Sequence, residues 1–428
     1  MSKLNDQQLH QYLSSLTSSK SFLIAYSGGL DSHVLLHLMK TISQTSDINI
    51  RALYVNHGLQ KEADSWAKHC QKICQNMQIP FDIVKLTLDL TTGESIEAVA
   101  RNGRYQVLKK SLQKDEVLLT AHHQNDQAET LLLQLFRGAG VDGLAAMPKI
   151  AAFGLGQQLR PLLSFNRNEL ADYAQHHHLT YIEDPSNQDQ RFDRNYLRHH
   201  IYPLLQQRWQ GITKVLARTT EIQAETAHLL DELAAEDFDK IVRTSGYKNN
   251  NKDCVISITA LMTLSAPRQK LVLRYWIKQH GFLMPSAKKL QHLFKDVIHS
   301  KQDASPLLTW QGVEVRRFQN RLYIMSPLNK FDSTQVIRWN IKTNIVIPEL
   351  DLELQADALK VLLKNQKKPD KNTAITVRFR NGGEKLFDVE KRINVSLKNY
   401  FQDGAIPPWQ RSRIPLIYLG ETLIHVWI

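Results

Sequence analysis

Cysteine and long apolar runs are scarce in this chain. Three cysteines occur among 428 residues, Cys70, Cys74 and Cys254, and so sparse and odd a set excludes a disulfide framework, which leads us to expect a cytoplasmic protein. No apolar stretch reaches the ~18 residues that a membrane-spanning helix needs, and the polar start of the chain lacks a signal-peptide pattern. We therefore expect no membrane association.

Acidic residues are fewer than basic residues in this chain. The chain has 54 Lys and Arg against 42 Asp and Glu, a formal net charge of +12. Each Lys or Arg placed against a phosphate releases a counterion, so this balance favours a nucleic-acid partner. The 42% of hydrophobic residues is ordinary for a soluble globular protein, and the length predicts two or three domains.

The first part of the chain alternates short β-branched runs with segments of helical period. The predicted strands are Phe22 to Tyr26, Ile48 to Asn56, Phe81 to Leu86 and Val117 to Thr120, with a weaker one at Gln158 to Pro161. This alternation predicts an α/β domain with a doubly wound parallel sheet, over residues 1–217. A predicted helix from Glu62 to Gln78 carries Cys70 and Cys74 on its apolar face. Both are expected in the core, with a metal-binding pair as the alternative.

The remaining chain divides into two further predicted domains. Residues 218–329 are predicted to be helical with a terminal hairpin at Trp310 to Ile324, and residues 330–428 to form a basic α+β domain. A long polar helix from Thr219 to Lys240 is interpreted as a connector. Its apolar stripe is expected to comprise Ile222, Leu229, Leu230 and Leu233.

A glycine-containing loop lies between the first predicted strand and the helix after it. It has the sequence Ser27-Gly28-Gly29-Leu30-Asp31-Ser32. Glycines let the backbone approach a ligand, and the helix start offers free N–H groups to phosphate. Asp31 is a carboxylate in an anion site, which implies Mg2+ between it and the phosphates. The loop lacks the Gly-Lys-[Ser/Thr] ending of a Walker A loop, and the alternative is a turn that binds nothing.

A second polar cluster follows the strand Val117 to Thr120. It contains His122, His123, Asp126 and Glu129. Ligands of open parallel sheets bind outside the carboxyl ends of the strands, so the cluster and the loop should face one crevice. Either histidine could accept a proton or donate a hydrogen bond, and Asp126 could bind Mg2+ or orient an amine. The alternative is an exposed turn that is merely polar.

These two motifs resemble known families. Residues 27–32 resemble the pyrophosphate-binding loop of the PP-loop ATP pyrophosphatase superfamily, and residues 121–130 resemble the Ala-His-His-x-Asp-Asp-x-x-Glu-Thr motif of tRNA(Ile)-lysidine synthetases. Further similar segments are Val55-Asn56-His57-Gly58-Leu59, Glu97 to Tyr105, Arg160 to Leu163, Glu183 to Asn187, Arg194 to Arg198 and Phe401 to Ile417. One departure is Asn125, which stands where the family usually has an aspartate and leaves Asp126 as the stronger candidate.

The resemblance implies a substrate and a reaction. It implies that ATP and Mg2+ adenylate carbon 2 of the wobble cytidine of tRNA(Ile) with a CAU anticodon, and that the side-chain amine of L-lysine then displaces AMP. The loop, with Asn56 and His57, would bind the cofactor and Asp31 the metal. Arg194 or Arg198 would neutralise phosphate charge, while His122, His123 and Asp126 would serve the base and the amine.

Three alternatives compete with this interpretation. A tRNA thiolase would need cysteines to carry sulfur or hold a cluster, and the predicted placement of the three cysteines disfavours it. An ATP-dependent amide synthetase would leave the basic C-terminal region unexplained. A tRNA-binding protein without catalytic activity would release no pyrophosphate.

Overall fold

The structure is a computed structural model, which describes residues 4–58, 60, 62–87, 96–244, 255–301, 304–340, 342–364, 374–388 and 393–428. Its contacts divide the chain into two compact units, Met1–Leu230 and Asp231–Ile428. The division into three domains, with boundaries near residues 217 and 329, stays a prediction.

The N-terminal unit is built on a six-stranded sheet. Its strands are β1 Ser21–Ala25, β2 Asn49–Asn56, β3 Phe81–Lys85, β4 Glu116–Leu119, β5 Ile150–Phe153 and β6 Gly156–Leu159. They lie in the order β3-β2-β1-β4-β6-β5, all parallel to their neighbours except β5, which pairs antiparallel with β6. This confirms the predicted doubly wound sheet, to which β5 is an unpredicted addition. The strand order reverses between β1 and β4, the place where such sheets bind ligands.

Helices cover both faces of this sheet. The helices of this unit are α1 Asp6–Leu16, α2 Leu30–Thr45, α3 Ala63–Asn76, α4 Ile96–Ser111, α5 Gln124–Phe136, α6 Val141–Leu144, α7 Arg167–His176, α8 Asp193–Tyr196 and α9 Tyr202–Arg208, with a wide π-type turn Leu197–Ile201 between α8 and α9. A tenth helix, α10 Ile212–Thr244, begins in this unit and ends in the C-terminal unit. Successive residues of a strand point to opposite faces. Phe22 and Ile24 of β1 accordingly join one apolar cluster and Leu23 joins another.

The cysteines of α3 lie in the core, as expected. Cys70 and Cys74 are fully buried, and burial raises the pKa of each thiol to about 12, so neither is a ready nucleophile or metal ligand. Across the part of the chain that the structure describes, no group of three or more His, Cys, Asp or Glu side chains could hold a metal ion on its own. Cys254 lies outside the described residues.

The connector helix is longer than predicted and faces differently. α10 packs inward through Ala217, Thr220 and Ala234. The expected stripe was partly wrong, because Ile222 and Leu229 are 53% and 65% exposed. Apolar periodicity shows which residues share a helix face, but it does not show what that face meets.

The C-terminal unit contains small sheets with short helices. Its first part comprises β7 Val255–Ser257, α11 Ile258–Met262, α12 Ala266–Gln279, α13 Ala287–His292, a π-type turn Leu293–Ile298, β8 Leu307–Trp310, β9 Val313–Phe318 and β10 Arg321–Met325. The sheet order β7-β10-β9-β8 includes the predicted hairpin, which is formed by β9 and β10.

The second part of this unit is strand-rich, as expected. It comprises β11 Ile337–Arg338, β12 Ile345–Ile347, β13 Leu352–Leu354, α14 Ala356–Lys364, β14 Ile375–Arg378, β15 Lys385–Asp388, β16 Ile393–Ser396, α15 Leu397–Asp403, α16 Pro408–Arg411, β17 Leu416–Leu419 and β18 Thr422–Val426. Among the helices of the described residues, none combines the length and the apolar character needed to span a membrane.

Candidate active site

The loop between β1 and α2 has a backbone conformation at one position that strongly favours glycine. Gly28 has φ +80°, and a Cβ there would lie 2.6 Å from Cδ1 of Ile182 and 2.7 Å from Sγ of Cys70. The backbone N–H of Ile182 donates to the carbonyl of Gly28 at 2.9 Å. The loop is thus held in one conformation between α3 and the segment around Ile182.

The two loop serines bond to each other. Ser32 Oγ accepts from the backbone N–H of Ser27 at 3.2 Å and donates to the carbonyl of Gly29 at 3.0 Å, while the two hydroxyl oxygens lie 3.0 Å apart. Ser32 is buried and Ser27 is exposed. Ser32 therefore closes the loop from within, and Ser27 is the better placed of the two to meet a ligand.

Asp31 lies in the first turn of α2, on the crevice side of the loop. Its Oδ1 atom is buried with no hydrogen-bond partner among the described residues, and its Oδ2 lies 3.6 Å from Nε2 of His123. A buried carboxylate oxygen without a donor is poised to accept a cation. Mg2+ is commonly held by one or two carboxylates together with substrate phosphates. Asp31 therefore fits such an ion, although the described residues around it include no group of three or more side chains that could hold a metal.

His123 and Asp126 cap the start of α5 reciprocally. The backbone N–H of His123 donates to Asp126 Oδ2 at 3.0 Å, and the N–H of Asp126 donates to His123 Nδ1 at 3.4 Å. His123 Nε2 lies 3.6 Å from carboxylate oxygens of both Asp31 and Asp126. Burial lowers the pKa of His123, but the carboxylates outweigh it and the net direction is upward. His123 thus brings the second cluster into contact with Asp31 of the loop.

Asp126 and Glu129 bind both predicted arginines. Arg194 contacts Asp126 at 3.0 Å and Glu129 at 2.9 Å, and Arg198 contacts Glu129 at 2.7 Å. Burial alone would raise the pKa of Asp126, yet His123 and Arg194 hold it down at about 2. The guanidinium groups expected to meet phosphate are therefore already fixed by carboxylates, and Glu129, a member of the predicted cluster without an assigned role, contacts both of them.

His122 lies beside this cluster and ends a row of buried polar side chains. Its Nδ1 is 3.0 Å from Oγ1 of Thr120, and Gln158 donates to that same oxygen at 3.0 Å. Burial lowers the pKa of His122 to about 3, helped by the charge of Arg160 and opposed by Asp126. The ring is therefore neutral at physiological pH.

Asn56 and His57 differ in their placement. Asn56 is buried, donates to Asp64 at 2.9 Å and accepts from the N–H of Gly58 at 2.9 Å, so it shapes the turn after β2. His57 faces the crevice. Its pKa is lowered by burial and by the charge of Arg104. Leu59, the last residue of this motif, lies outside the described residues.

Two adjoining cavities, of about 580 and 510 Å³, form the crevice at the carboxyl ends of β1, β2 and β4. Both are lined by Ser27, His57, Arg104, Asp184 and Arg198. The smaller cavity also meets Gly29, Leu30, Asp31, Ser32, His122, His123 and Asp126, and the larger one meets Arg194. The two predicted clusters therefore share one crevice, as the position of the switch point implied.

Some predicted site residues lie off this crevice, and some crevice residues were missed. Gly28 and Asn56 are not among the lining residues. Arg104 and Asp184 line both cavities, whereas the sequence indicates them only as members of the segments that match the family. An arginine on a predicted helix gives no signal of where it points, so only the resemblance of its segment could have indicated Arg104.

Asn125 bonds to the backbone at the start of α7. Its Oδ1 accepts from the backbone N–H of Arg167 at 3.0 Å, at the start of α7, and the residue lines neither cavity. The amide that replaces the usual aspartate therefore joins two helix starts, whereas Asp126 faces the crevice.

Comparison with known domain families divides the chain into three matched regions. Residues 1–205 match the PP-loop domain, residues 256–323 the TilS substrate binding domain, and residues 375–427 the TilS substrate C-terminal domain. The first match covers the sheet, the glycine loop and both cavities.

Whole-chain relatives agree with these matches. A protein of Coxiella burnetii named tRNA(Ile)-lysidine synthase is 42% identical over 98% of this chain and 91% of its own. Proteins of the same name from Photorhabdus laumondii and Pectobacterium atrosepticum are 39% and 40% identical, over 99% and 98% of this chain and 93% and 92% of theirs. The chain belongs to the tRNA(Ile)-lysidine synthase family and is an ATP-dependent ligase with a PP-loop domain.

Proposed function

We propose that this protein converts the wobble cytidine of tRNA(Ile) with a CAU anticodon into lysidine, using ATP and L-lysine. The observation that carries the proposal is the position of Asp31. Its buried Oδ1 lacks a partner among the described residues, and it faces the same cavity as His122, His123 and Asp126. A site for a cation with phosphate thus adjoins groups that can handle a base and an amine.

The first step would be adenylation of the base. The cytidine O2 attacks the α-phosphorus of ATP, and the bond from that phosphorus to pyrophosphate breaks. The loop backbone and the start of α2 would hold the pyrophosphate through N–H groups and the helix dipole. Asp31 would hold Mg2+, which supplies charge neutralisation when bound. Ser27, exposed at the rim, would add a hydroxyl donor.

The second step would be attack by the lysine side-chain amine at carbon 2. The C–N bond forms, and the C–O bond to the adenylate breaks, so that AMP leaves with the former base oxygen. Asp126 stays anionic because of its low pKa, which suits it to orient the lysine ammonium, whose proton would pass to solvent in the open crevice before the amine attacks. Arg194 and Arg198, fixed by Asp126 and Glu129, would stabilise phosphate charge from the side of the larger cavity.

The C-terminal unit would hold the tRNA. Its matches to substrate-binding domains support this role, as does a group of cations between β14 and α16. Burial and the nearby charge of Arg380 lower the pKa of Arg411, as expected for like charges brought together to meet an anion. Arg380→Gln should weaken tRNA binding at matched salt and leave ATP binding unchanged.

Mass analysis of nucleosides from treated tRNA tests the reaction. A digest of tRNA(Ile) incubated with protein, ATP and lysine should contain a cytidine heavier by one lysine less one water. The product should be absent when either ATP or lysine is left out. A sulfur-bearing nucleoside would indicate a thiolase, and unmodified tRNA without pyrophosphate release would indicate a protein that only binds tRNA.

A further inference from the structure

A row of buried polar side chains leads to His122 from β6, the strand that neighbours β4. Arg160 Nη2 donates to Gln158 Oε1 at 2.9 Å, Gln158 Nε2 donates to Thr120 Oγ1 at 3.0 Å, and Thr120 Oγ1 lies 3.0 Å from His122 Nδ1. Thr120, Gln158 and Arg160 are each less than a tenth exposed. Water therefore does not compete for these bonds, and each group depends on its neighbour in the row.

The chemistry of arginine sets the direction of every bond in this row. A guanidinium can only donate, so the carbonyl oxygen of the Gln158 amide must face Arg160 and its NH2 group must face Thr120. The Thr120 oxygen accepts that N–H, and among the described residues His122 Nδ1 is the one acceptor within reach of its single hydroxyl hydrogen. The hydroxyl therefore donates, and His122 Nδ1 accepts. Since the ring is neutral, the one ring proton resides on Nε2.

Other charged groups surround the ring without reversing this order. Asp126, Arg194, Arg104 and Arg160 all influence the titration of His122, and Tyr105 interacts with Gln158 and Arg160. The arginines and burial disfavour a second proton on the ring, whereas Asp126 favours one. The balance keeps a single proton on His122, and the buried row decides which nitrogen carries it.

We propose that Arg160, Gln158 and Thr120 are positioning residues that fix His122 as a neutral donor with its Nε2–H available to the substrate cavity. The inference deepens the proposed function and rests on it for the choice of acceptor. His122 then acts by hydrogen bonding and transfers no proton. Its acceptor is a phosphate oxygen of the adenylate, on which negative charge grows as the C–O bond breaks and AMP leaves.

Reversing the row provides the sharpest test. Gln158→Glu keeps an acceptor for Arg160 but has no N–H to give Thr120, whose hydroxyl then donates to the new carboxylate. His122 then donates from Nδ1, and while the ring stays neutral Nε2 carries no proton. The new carboxylate is paired with Arg160, and the free energy of unfolding, measured alongside the ring form, separates a change of bond direction from a loss of stability.

The readouts are the histidine 15N chemical shifts and the single-turnover rate of lysidine formation. Wild-type His122 should show the Nε2–H form, and Gln158→Glu the Nδ1–H form. The reversed variant should lose about 100-fold in rate, the loss typical of removing one donor to a developing oxyanion, with its ATP affinity nearly unchanged. His122→Gln assigns the resonances.

Thr120 provides a matched pair of variants. Thr120→Ser keeps the hydroxyl and should retain both the Nε2–H form and a rate within about threefold of wild type. Thr120→Val has the same shape without the hydroxyl, and should show a mixture of ring forms with a reduced rate. A merely structural role for Thr120 would lower stability in Thr120→Val but leave the ring form alone.

Several outcomes would overturn the proposal. They are an Nδ1–H form in the wild type, an unchanged ring form in Gln158→Glu, or full turnover in a variant whose ring form has reversed. Failure of the proposed reaction itself is distinguishable from these outcomes. In that case tRNA treated with the wild-type protein would contain no lysidine, whatever the 15N shifts show.

Discussion

A buried charged cluster in the N-terminal unit and a buried arginine in the C-terminal unit are satisfied by different kinds of partner. In the N-terminal unit, Asp126 and Glu129 are bound by guanidinium groups at the edge of the open crevice. In the C-terminal unit, Arg317 is only 8% exposed and donates to the carbonyls of Ile298 at 2.8 Å and Ser300 at 2.6 Å. A buried charge thus indicates a site when side chains hold it beside a cavity, and a structural tie when backbone carbonyls satisfy it.

Asp31 should show the largest effect of any single change. Asp31→Asn keeps the size of the side chain but removes the charge proposed to hold Mg2+, so AMP and pyrophosphate formation should fall by at least about 100-fold. Because the side chain makes no hydrogen bond through Oδ1 among the described residues, the melting temperature should change little. Pyrophosphate release with tRNA present measures the loss.

An exposed carboxylate serves as the control for this change. Asp47 forms a surface ion pair with Lys20 at 2.6 Å, and such pairs contribute little to stability. Asp47→Asn should therefore leave both activity and melting temperature near wild type. Equal pyrophosphate yields from Asp31→Asn and wild type would remove Asp31 from the site.

Arg317 should show the opposite pattern, a loss of stability without a direct loss of chemistry. Arg317→Ala leaves the carbonyls at the end of the turn Leu293–Ile298 without their donor, which should cost about 2–4 kcal/mol in the free energy of unfolding of the C-terminal unit. Denaturant titration measures this change. ATP binding by the N-terminal unit should be unaffected.

An exposed ion pair of the same unit is the control. Lys360 pairs with Asp357 at 2.7 Å, and the two side chains are 48% and 92% exposed, so Lys360→Ala should leave the free energy of unfolding near that of wild type. If both variants lost the same stability, the proposed distinction between a buried, carbonyl-bound arginine and an exposed ion pair would be wrong.

The sequence could predict features that follow from local patterns, but it could not predict which distant side chains meet. The strands and the shared crevice were predictable, because β-branched runs mark buried strands and parallel strands end at one edge. β5 was missed, since Ile150–Phe153 is short and contains two alanines. The pairing of Glu129 with Arg194 and Arg198 joins residues 65 and 69 positions apart. No local pattern specifies which partners meet over such separations.

His122 should make part of the stability depend on pH. Its pKa is about 3 in the folded protein against an ordinary 6.5, so the unfolded chain takes up a proton at higher pH than the folded one. The contribution of His122 to the free energy of unfolding is therefore fully present above pH 6.5. It is lost as the pH falls toward 3, at up to about 1.4 kcal/mol per pH unit. Burial lowers the pKa of His33 to about 4, so His33 also reduces the stability as the pH falls.

The variant His122→Gln removes the contribution of His122 from the pH dependence of stability. The variant has no ring to protonate, so its melting temperature should fall less steeply than that of wild type as the pH decreases from 6.5 to 4. The two curves should converge toward low pH. Parallel curves over this range would show that the ring titrates alike in the folded and unfolded chains.

The smallest effect is expected where this chain departs from the family motif. Asn125 Oδ1 accepts from the N–H of Arg167 at 3.0 Å, and a carboxylate at that position can accept the same bond. Asn125→Asp also places negative charge near the starts of α5 and α7, which should stabilise the fold by about 0.3–1 kcal/mol. Since the side chain lines neither cavity, kcat/KM should change by less than about threefold. Asp126→Asn, one residue along and facing the crevice, should lose about 100-fold or more. A gain of tenfold or more in Asn125→Asp would mean that this side chain reaches the substrates during turnover, and that the contrast between the two positions does not hold.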